Sequence, residues 1–227
     1  MSETHQVKPY LILASGSPRR QELISLAGWE VEVRPVDVDE SERPGEEAVD
    51  LALRLAKEKI LAAIEQFGEA KLILAADTVV ENEGEILGKP TAPEDAYRML
   101  MKLRGKPHRV HTAIAITASG SDDIVLDVCT TEVPMRGYSE DEVSVYVDSG
   151  SPLDKAGAYG IQDQSFHPVK VAEMSGCYAN IVGLPICHVV RTMRALGYEA
   201  VFDVPSRCQA HTGYDCDVYP QILRDET

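Results

Sequence analysis

Tyr10-Leu-Ile-Leu-Ala14, followed directly by Ser15-Gly-Ser-Pro-Arg-Arg20, commits this chain early to a strand, a turn and a helix whose start is electrostatically unusual. The apolar run reads as a buried strand. Pro18 suits the first helical position, Leu23, Ile24 and Ala27 follow at helical spacing, and Ser17 is the natural N-cap. Yet the first turn carries Arg19 and Arg20, where the positive end of the helix dipole favours acidic residues. Two cations, free backbone N–H groups and the hydroxyls of Ser15 and Ser17 converge on one point. A bound phosphate relieves the conflict.

Further along, strands and helices interleave. Glu30 to Val33 reads as a strand, and residues 34–45 as an acidic loop holding Asp37, Asp39 and Glu40. Glu46 to Phe67 has the period of a long amphipathic helix, with Val49, Leu53, Ala56, Ile60 and Ile64 on one face and Gly68 ending it. A second apolar strand, Leu72 to Ala76, ends at Asp77-Thr78-Val-Val80. A turn at Asn82-Glu-Gly84 leads into a short return strand closed by Gly88-Lys89-Pro90. Thr91 with Glu94 predicts a capping box for a helix through Leu103, and Ser139 with Glu142 predicts another for a helix ending near Gly150. Strands are expected over His108–Thr117 and Ile124–Val133, joined by a turn at Ser119-Gly-Ser121. A glycine-punctuated loop (Ala156 to Gly160), a strand around Val169 to Ala172 and a helix from Pro185 to Leu196 complete the pattern. This predicts an α/β fold with a mixed sheet, in one domain over 1–204. Residues 205–227 show no packing period and read as an irregular tail of open role.

The 37 acidic and 22 basic residues give a formal net charge of −15. Such a surface repels nucleic acid, whose binding rests on neutralised phosphates. The basic residues that matter therefore form a local cluster, suited to a small phosphorylated ligand and a divalent cation. The longest apolar runs are far short of a membrane span, and Met1 to Pro9 is polar, with no signal peptide visible. Five cysteines without a CxxC pair point to reduced thiols in the cytoplasm. Cys208, His211 and Cys216 are too few and too irregularly spaced to read as a zinc site.

Asp77, following an apolar strand, falls where open α/β sheets bind ligands. It reads either as the cap of a turn or, beside a phosphate-binding loop, as a metal ligand or water-activating base. Lys89 reaches from a backbone set by Gly88 and Pro90, and either neutralises a phosphate or faces solvent. Lys57 and Lys59, each taken alone, read as a solvated helix face. Glu40 belongs to a loop that can supply oxygen ligands to Mg²⁺ or be plain surface. His108 and His111 have no partnered nucleophile, and neither is assigned to catalysis. There is no Walker loop and no dinucleotide glycine pattern. Phosphate binding plus carboxylates favours metal-assisted attack by water on a phosphoanhydride.

Seven motifs in order, spanning about residues 9–197, resemble the Maf family of nucleotide pyrophosphatases. They are Ser15-x-Ser-Pro-Arg-Arg20, Leu55-Ala-x-x-Lys59, Ala76-Asp-Thr-Val-Val80, Gly88-Lys-Pro90, His108-x-Val-x-Thr112, Asp154-Lys-Ala-Gly-Ala-Tyr-Gly-Ile-Gln162 and Val182-Gly-Leu-Pro185. The resemblance implies an elongated mixed sheet flanked by helices, in two lobes with a nucleotide cleft between them. It implies hydrolysis of a nucleoside triphosphate to the monophosphate and pyrophosphate with Mg²⁺ or Mn²⁺. By the same likeness Asp77 is the acid–base residue and a metal ligand, and Glu40 helps with metal or water. Arg19, Arg20, Lys59 and Lys89, with Ser15 and Ser17, hold phosphates. Arg19, Thr78 and Gln162 match the branch acting on dTTP and UTP rather than that acting on 7-methylguanosine triphosphate. That purine activity, and a nucleotide sensor without turnover, remain the alternatives; a homodimer is the assembly considered. Two departures stand out: Asp163-Gln-Ser-Phe-His-Pro168 replaces a glycine-containing turn, and the segment from Pro205 has no counterpart.

Overall fold

The computed structural model describes residues 9–68, 72–118 and 123–224; the turn expected at Ser119-Gly-Ser121 lies outside them. The opening apolar run forms β1 (Tyr10–Leu13), and the proline-led helix follows as α1 (Pro18–Ser25), with the Ser17 side chain accepting from the Arg20 backbone N–H. β2 (Glu30–Val33) and β3 (Leu72–Asn82) lie parallel to β1 on either side. β4 (Glu85–Leu87) and β5 (Pro107–Thr117) pair antiparallel with β3, and β6 (Ile124–Pro134) with β5. The sheet is therefore mixed, ordered β2-β1-β3-β5-β6 with β4 beside β3. The expected α/β class holds.

Strand alternation sorts the core into two layers. Ile12, Ile73, Ala75, Ala113 and Ala115 face α2 (Ala48–Phe67) on one side. Leu11, Leu13, Leu74, Ala76 and Ile114 face the larger layer on the other. To that layer belong α1, α3 (Pro93–Leu103), α4 (Glu140–Asp148), α5 (Tyr178–Val182), α6 (Ile186–Ala195) and α7 (Val204–Thr212), with α8 (Tyr219–Ile222) at its margin.

The structure corrects several local expectations. The buried stripe of α2 is Ala48, Leu51, Ala52, Leu55, Ala56, Lys59, Ile60 and Ala63, whereas Val49, Leu53 and Ile64 are only half-buried. Alanines on helix and sheet let the two approach closely, so the stripe follows small residues rather than the largest aliphatic ones. At the start of α3, Ala92 is the N-cap and Pro93 the first helical residue; Thr91 bonds Asp95, not Glu94. Val169 makes a single bridge to Met135 and residues 171–173 form a 3₁₀ turn instead of a strand. The segment read as an irregular tail carries, among its described residues, most of α7 and all of α8. Asp203 caps α7 through the Ser206 N–H, and Val204, Cys208 and Tyr214 are buried in the main core. The cap-and-proline start, Asp203-Val-Pro-Ser206, was the signal available in the sequence.

Candidate active site

β3 is longer than β1, and the site lies where β1 stops. β1 pairs with β3 as far as Leu74, and β4 pairs with it from Val80, so residues 75–79 have no strand partner on that edge. Asp77 sits in this gap, in the middle of an 11-residue strand rather than at its end as expected. It is the neighbouring strand that ends there, which leaves a crevice beside a continuous ladder.

Alternation sends Asp77 toward α2 and Thr78 toward the opposite layer. Lys59, on the buried stripe of α2, places Nζ 2.5 Å from Asp77 Oδ1 and 2.6 Å from Glu40 Oε1. The side chains of Lys59 and Asp77 are each only 9% exposed, so the solvated-face reading of Lys59 fails. Lys89 approaches the other Glu40 oxygen at 3.5 Å from the exposed segment after β4. Burial by itself would raise the Glu40 carboxyl, but Lys59 and then Lys89 outweigh it and hold it below the usual carboxylate range. Lys57 is exposed.

On the other face Arg20 is built into the wall. Its Nε donates to the Gly183 carbonyl at 2.8 Å, Nη1 to Ser15 Oγ at 3.2 Å and Nη2 to Thr78 Oγ1 at 3.1 Å. Thr78 Oγ1 lies 3.0 Å from Thr112 Oγ1, which donates to the Asn180 carbonyl. Thus α5 and the residue that ends it fix the arginine from behind. Sequence reading missed Thr112, Asn180 and Gly183 as supports; Thr112 and Gly183 lie inside the family motifs, and Asn180 lies just before the last of them. Arg19 points along the rim, with Nη1 3.4 Å from Asp154 Oδ2.

The resulting cleft has a volume of about 420 Å³. Ser15, Ser17, Arg19, Arg20, Glu40, Lys59, Asp77, Thr78, Lys89 and Gln162 all line it, so the structure brings together the residues to which the family likeness gives a part in catalysis or binding. Lys155 and Asp163 line it as well and had not been singled out. His108 and His111 do not reach it; His108 is buried against the Tyr159 hydroxyl at 2.8 Å, and His111 bonds Thr130 at 2.8 Å. Among the described residues no three His, Cys, Asp or Glu side chains form a metal cage, and Cys208 and Cys216 are free thiols. Glu40 and Asp77 nevertheless offer two hard carboxylates that converge on one ammonium. That donor set fits a magnesium-type ion, which is commonly held by one or two carboxylates and completed by substrate phosphates.

Residues 10–196 match the family described as Maf-like protein. The chain is 46% identical over 187 residues to the dTTP/UTP pyrophosphatase of Geobacter sp. (strain M21), covering 82% of this chain and 95% of that one. It is 44% identical over 189 residues to the protein of the same description from Hahella chejuensis, covering 82% and 92%. With the one from Anaeromyxobacter dehalogenans (strain 2CP-1) it shares 42% over 199 residues, covering 87% and 99%. The chain belongs to the Maf family. α7 and α8 lie beyond the family match.

Proposed function

We propose that this protein hydrolyses nucleoside triphosphates, dTTP and UTP foremost, to the monophosphate and pyrophosphate. The observation that carries the reading is the buried Lys59–Asp77 pair, set beneath a cleft whose upper wall presents Arg19, Arg20 and the start of α1. The likeness to proteins described as dTTP/UTP pyrophosphatases supports the same substrates.

Asp77 is the group placed to take a proton from the attacking water. Lys59 balances the charge of that carboxylate and aims it, since a buried anion without a partner is strongly disfavoured. Water attacks the α-phosphorus, and pyrophosphate departs as charge builds on its oxygens. Arg19, Lys89, the backbone N–H of Arg19 and the hydroxyls of Ser15 and Ser17 neutralise that charge. Arg20, with three hydrogen bonds to the protein, presents a fixed cationic surface rather than a mobile clamp. Glu40 and Asp77 would hold a divalent cation, Mg²⁺ or Mn²⁺, which when bound supplies further positive charge to the phosphate chain. Gln162 stands at the rim, where its amide can both donate to and accept from a pyrimidine edge. Among the described residues no helix is long and apolar enough to cross a membrane. Together with five unpaired thiols, this supports the cytoplasm as the working compartment.

The test is pyrophosphate release from a panel of pyrimidine and purine triphosphates, 7-methylguanosine triphosphate included, by wild type and Asp77→Ala. Pyrophosphate from dTTP and UTP, reduced at least about a hundredfold in the variant, is expected. Orthophosphate as first product, preference for the purine, or tight binding without turnover would each overturn the reading.

A further inference from the structure

A ring of side chains behind the rim fixes the turn that carries Gln162, and none of them belongs to the reacting machinery. Residues 160–163 form a turn closed by the Asp163 N–H donating to the Gly160 carbonyl at 3.2 Å, with Ile161 and Gln162 at its centre. Tyr146, on α4, closes this turn a second time from outside. Its hydroxyl accepts from the Gly160 N–H at 3.3 Å and donates to Asp163 Oδ2. The same carboxylate oxygen accepts from Ser151 Oγ at 3.0 Å and lies 3.7 Å from Lys155 Nζ. Lys155 in turn holds the Ser151 carbonyl at 2.5 Å and Asp154 Oδ1 at 2.8 Å. Asp154 reaches Arg19 at the cleft.

Three further features make this ring stiff. The Tyr146 ring is stacked on Phe166, with centroids 4.5 Å apart and planes at 19°, so its hydroxyl has a defined direction. Burial, and then the Asp163 carboxylate, push the Tyr146 phenol well above its ordinary range, so it stays a hydrogen-bond donor at any working pH. A Cβ at Gly160 would come within 2.7 Å of Asp163 Oδ1 and 2.8 Å of Lys155 Cε, so the ring closes tightly only around a glycine.

We propose that Tyr146 and Asp163 are positioning residues for nucleotide selection: they lock the 160–163 turn so that Gln162 meets the base in one orientation. The proposal deepens the pyrimidine-triphosphate reading and rests on it. Without the lock, Gln162 would keep its chemistry but sample many orientations, and the entropy of ordering it would fall on the binding step. The cost therefore belongs in ligand affinity and KM rather than in kcat.

A double-mutant cycle tests this, because Tyr146→Phe keeps the ring stacked on Phe166 and removes only the hydroxyl. KM for dTTP and the Kd of a non-hydrolysable α,β-imido analogue of dTTP, measured by calorimetry, are determined for wild type, Tyr146→Phe, Gln162→Ala and the double variant. Asp163→Asn serves as the second single variant. Tyr146→Phe and Asp163→Asn are each expected to raise KM and Kd about five- to tenfold, the size of one lost hydrogen bond, with kcat within about twofold. In the Gln162→Ala background Tyr146→Phe should have no further effect, since its route to the ligand is gone. Additive effects, or a lowered Tm with unchanged KM and Kd, would show the ring to be structural only and overturn the proposal. Failure of the wild type to bind the analogue or release pyrophosphate would instead sink the functional reading. Binding and turnover with an additive cycle would sink this one alone.

Discussion

Lys59 divides a single charge between Asp77 and Glu40, and that makes it the residue on which the floor of the cleft depends. Lys59→Met would leave a buried carboxylate facing a half-buried one. It is expected to lose about 3–5 kcal/mol of stability in urea denaturation near neutral pH, the scale for breaking a buried pair, together with pyrophosphate release. Stability unchanged within about 1 kcal/mol would mean that water already solvates Asp77. His108 gives a pH-dependent prediction. Burial pushes its imidazole from 6.5 down to about 4. Between those values the unfolded chain binds a proton that the folded chain refuses, so stability rises with pH across the window and is complete above it. The expected span is up to about 3 kcal/mol, read as the difference between wild type and His108→Gln in urea denaturation from about pH 4 to 7. Parallel curves for the two proteins would refute it. At this scale the sequence was legible where chemistry follows a motif, as at Ser15, Arg20 and Asp77. It was illegible at Lys59 beyond the family likeness, because a lysine's burial depends on the alanines around it rather than on the lysine.

Elements were easiest to read where the start carried its own chemistry. The Ser139–Glu142 capping box is present on both arms, the Ser139 hydroxyl accepting from the Glu142 N–H at 3.1 Å and Glu142 accepting from the Ser139 N–H at 2.8 Å. Ser139→Ala should cost about 1 kcal/mol in denaturant without changing KM, because α4 touches the Gln162 turn through Tyr146 and not through its first turn. A KM shift would mean that fraying of α4 reaches the Gln162 turn. Reading failed where an element's boundary is set by a neighbour. β3 runs past Asp77 because β4 and β5 continue its ladder, which no local pattern in Leu72–Val80 announces. Likewise α5 is five residues long, and Arg20 is held by the carbonyl of Gly183, the residue that caps it; a backbone acceptor leaves no trace in residue type.

For the whole molecule, the net charge of −15 and the cations gathered in one cleft act together. A small polyanion can enter the cleft, but a duplex would have to lie against an acidic body. No retained binding of duplex DNA at about 150 mM salt is expected in a mobility-shift assay, and salt-resistant binding would contradict this account. The contact between Arg20 and the Gly183 carbonyl has another consequence, for the chain during its synthesis. Its two partners are 163 residues apart, so the guanidinium lacks its Nε anchor until Gly183 has been made, about ten seconds or more later at ordinary elongation rates. Any fragment released before residue 183 therefore carries the phosphate-binding turn without its backing. In such a fragment Arg20 keeps the partners made before it and shortly after, Ser15 and Thr78, but not the carbonyl that fixes its direction.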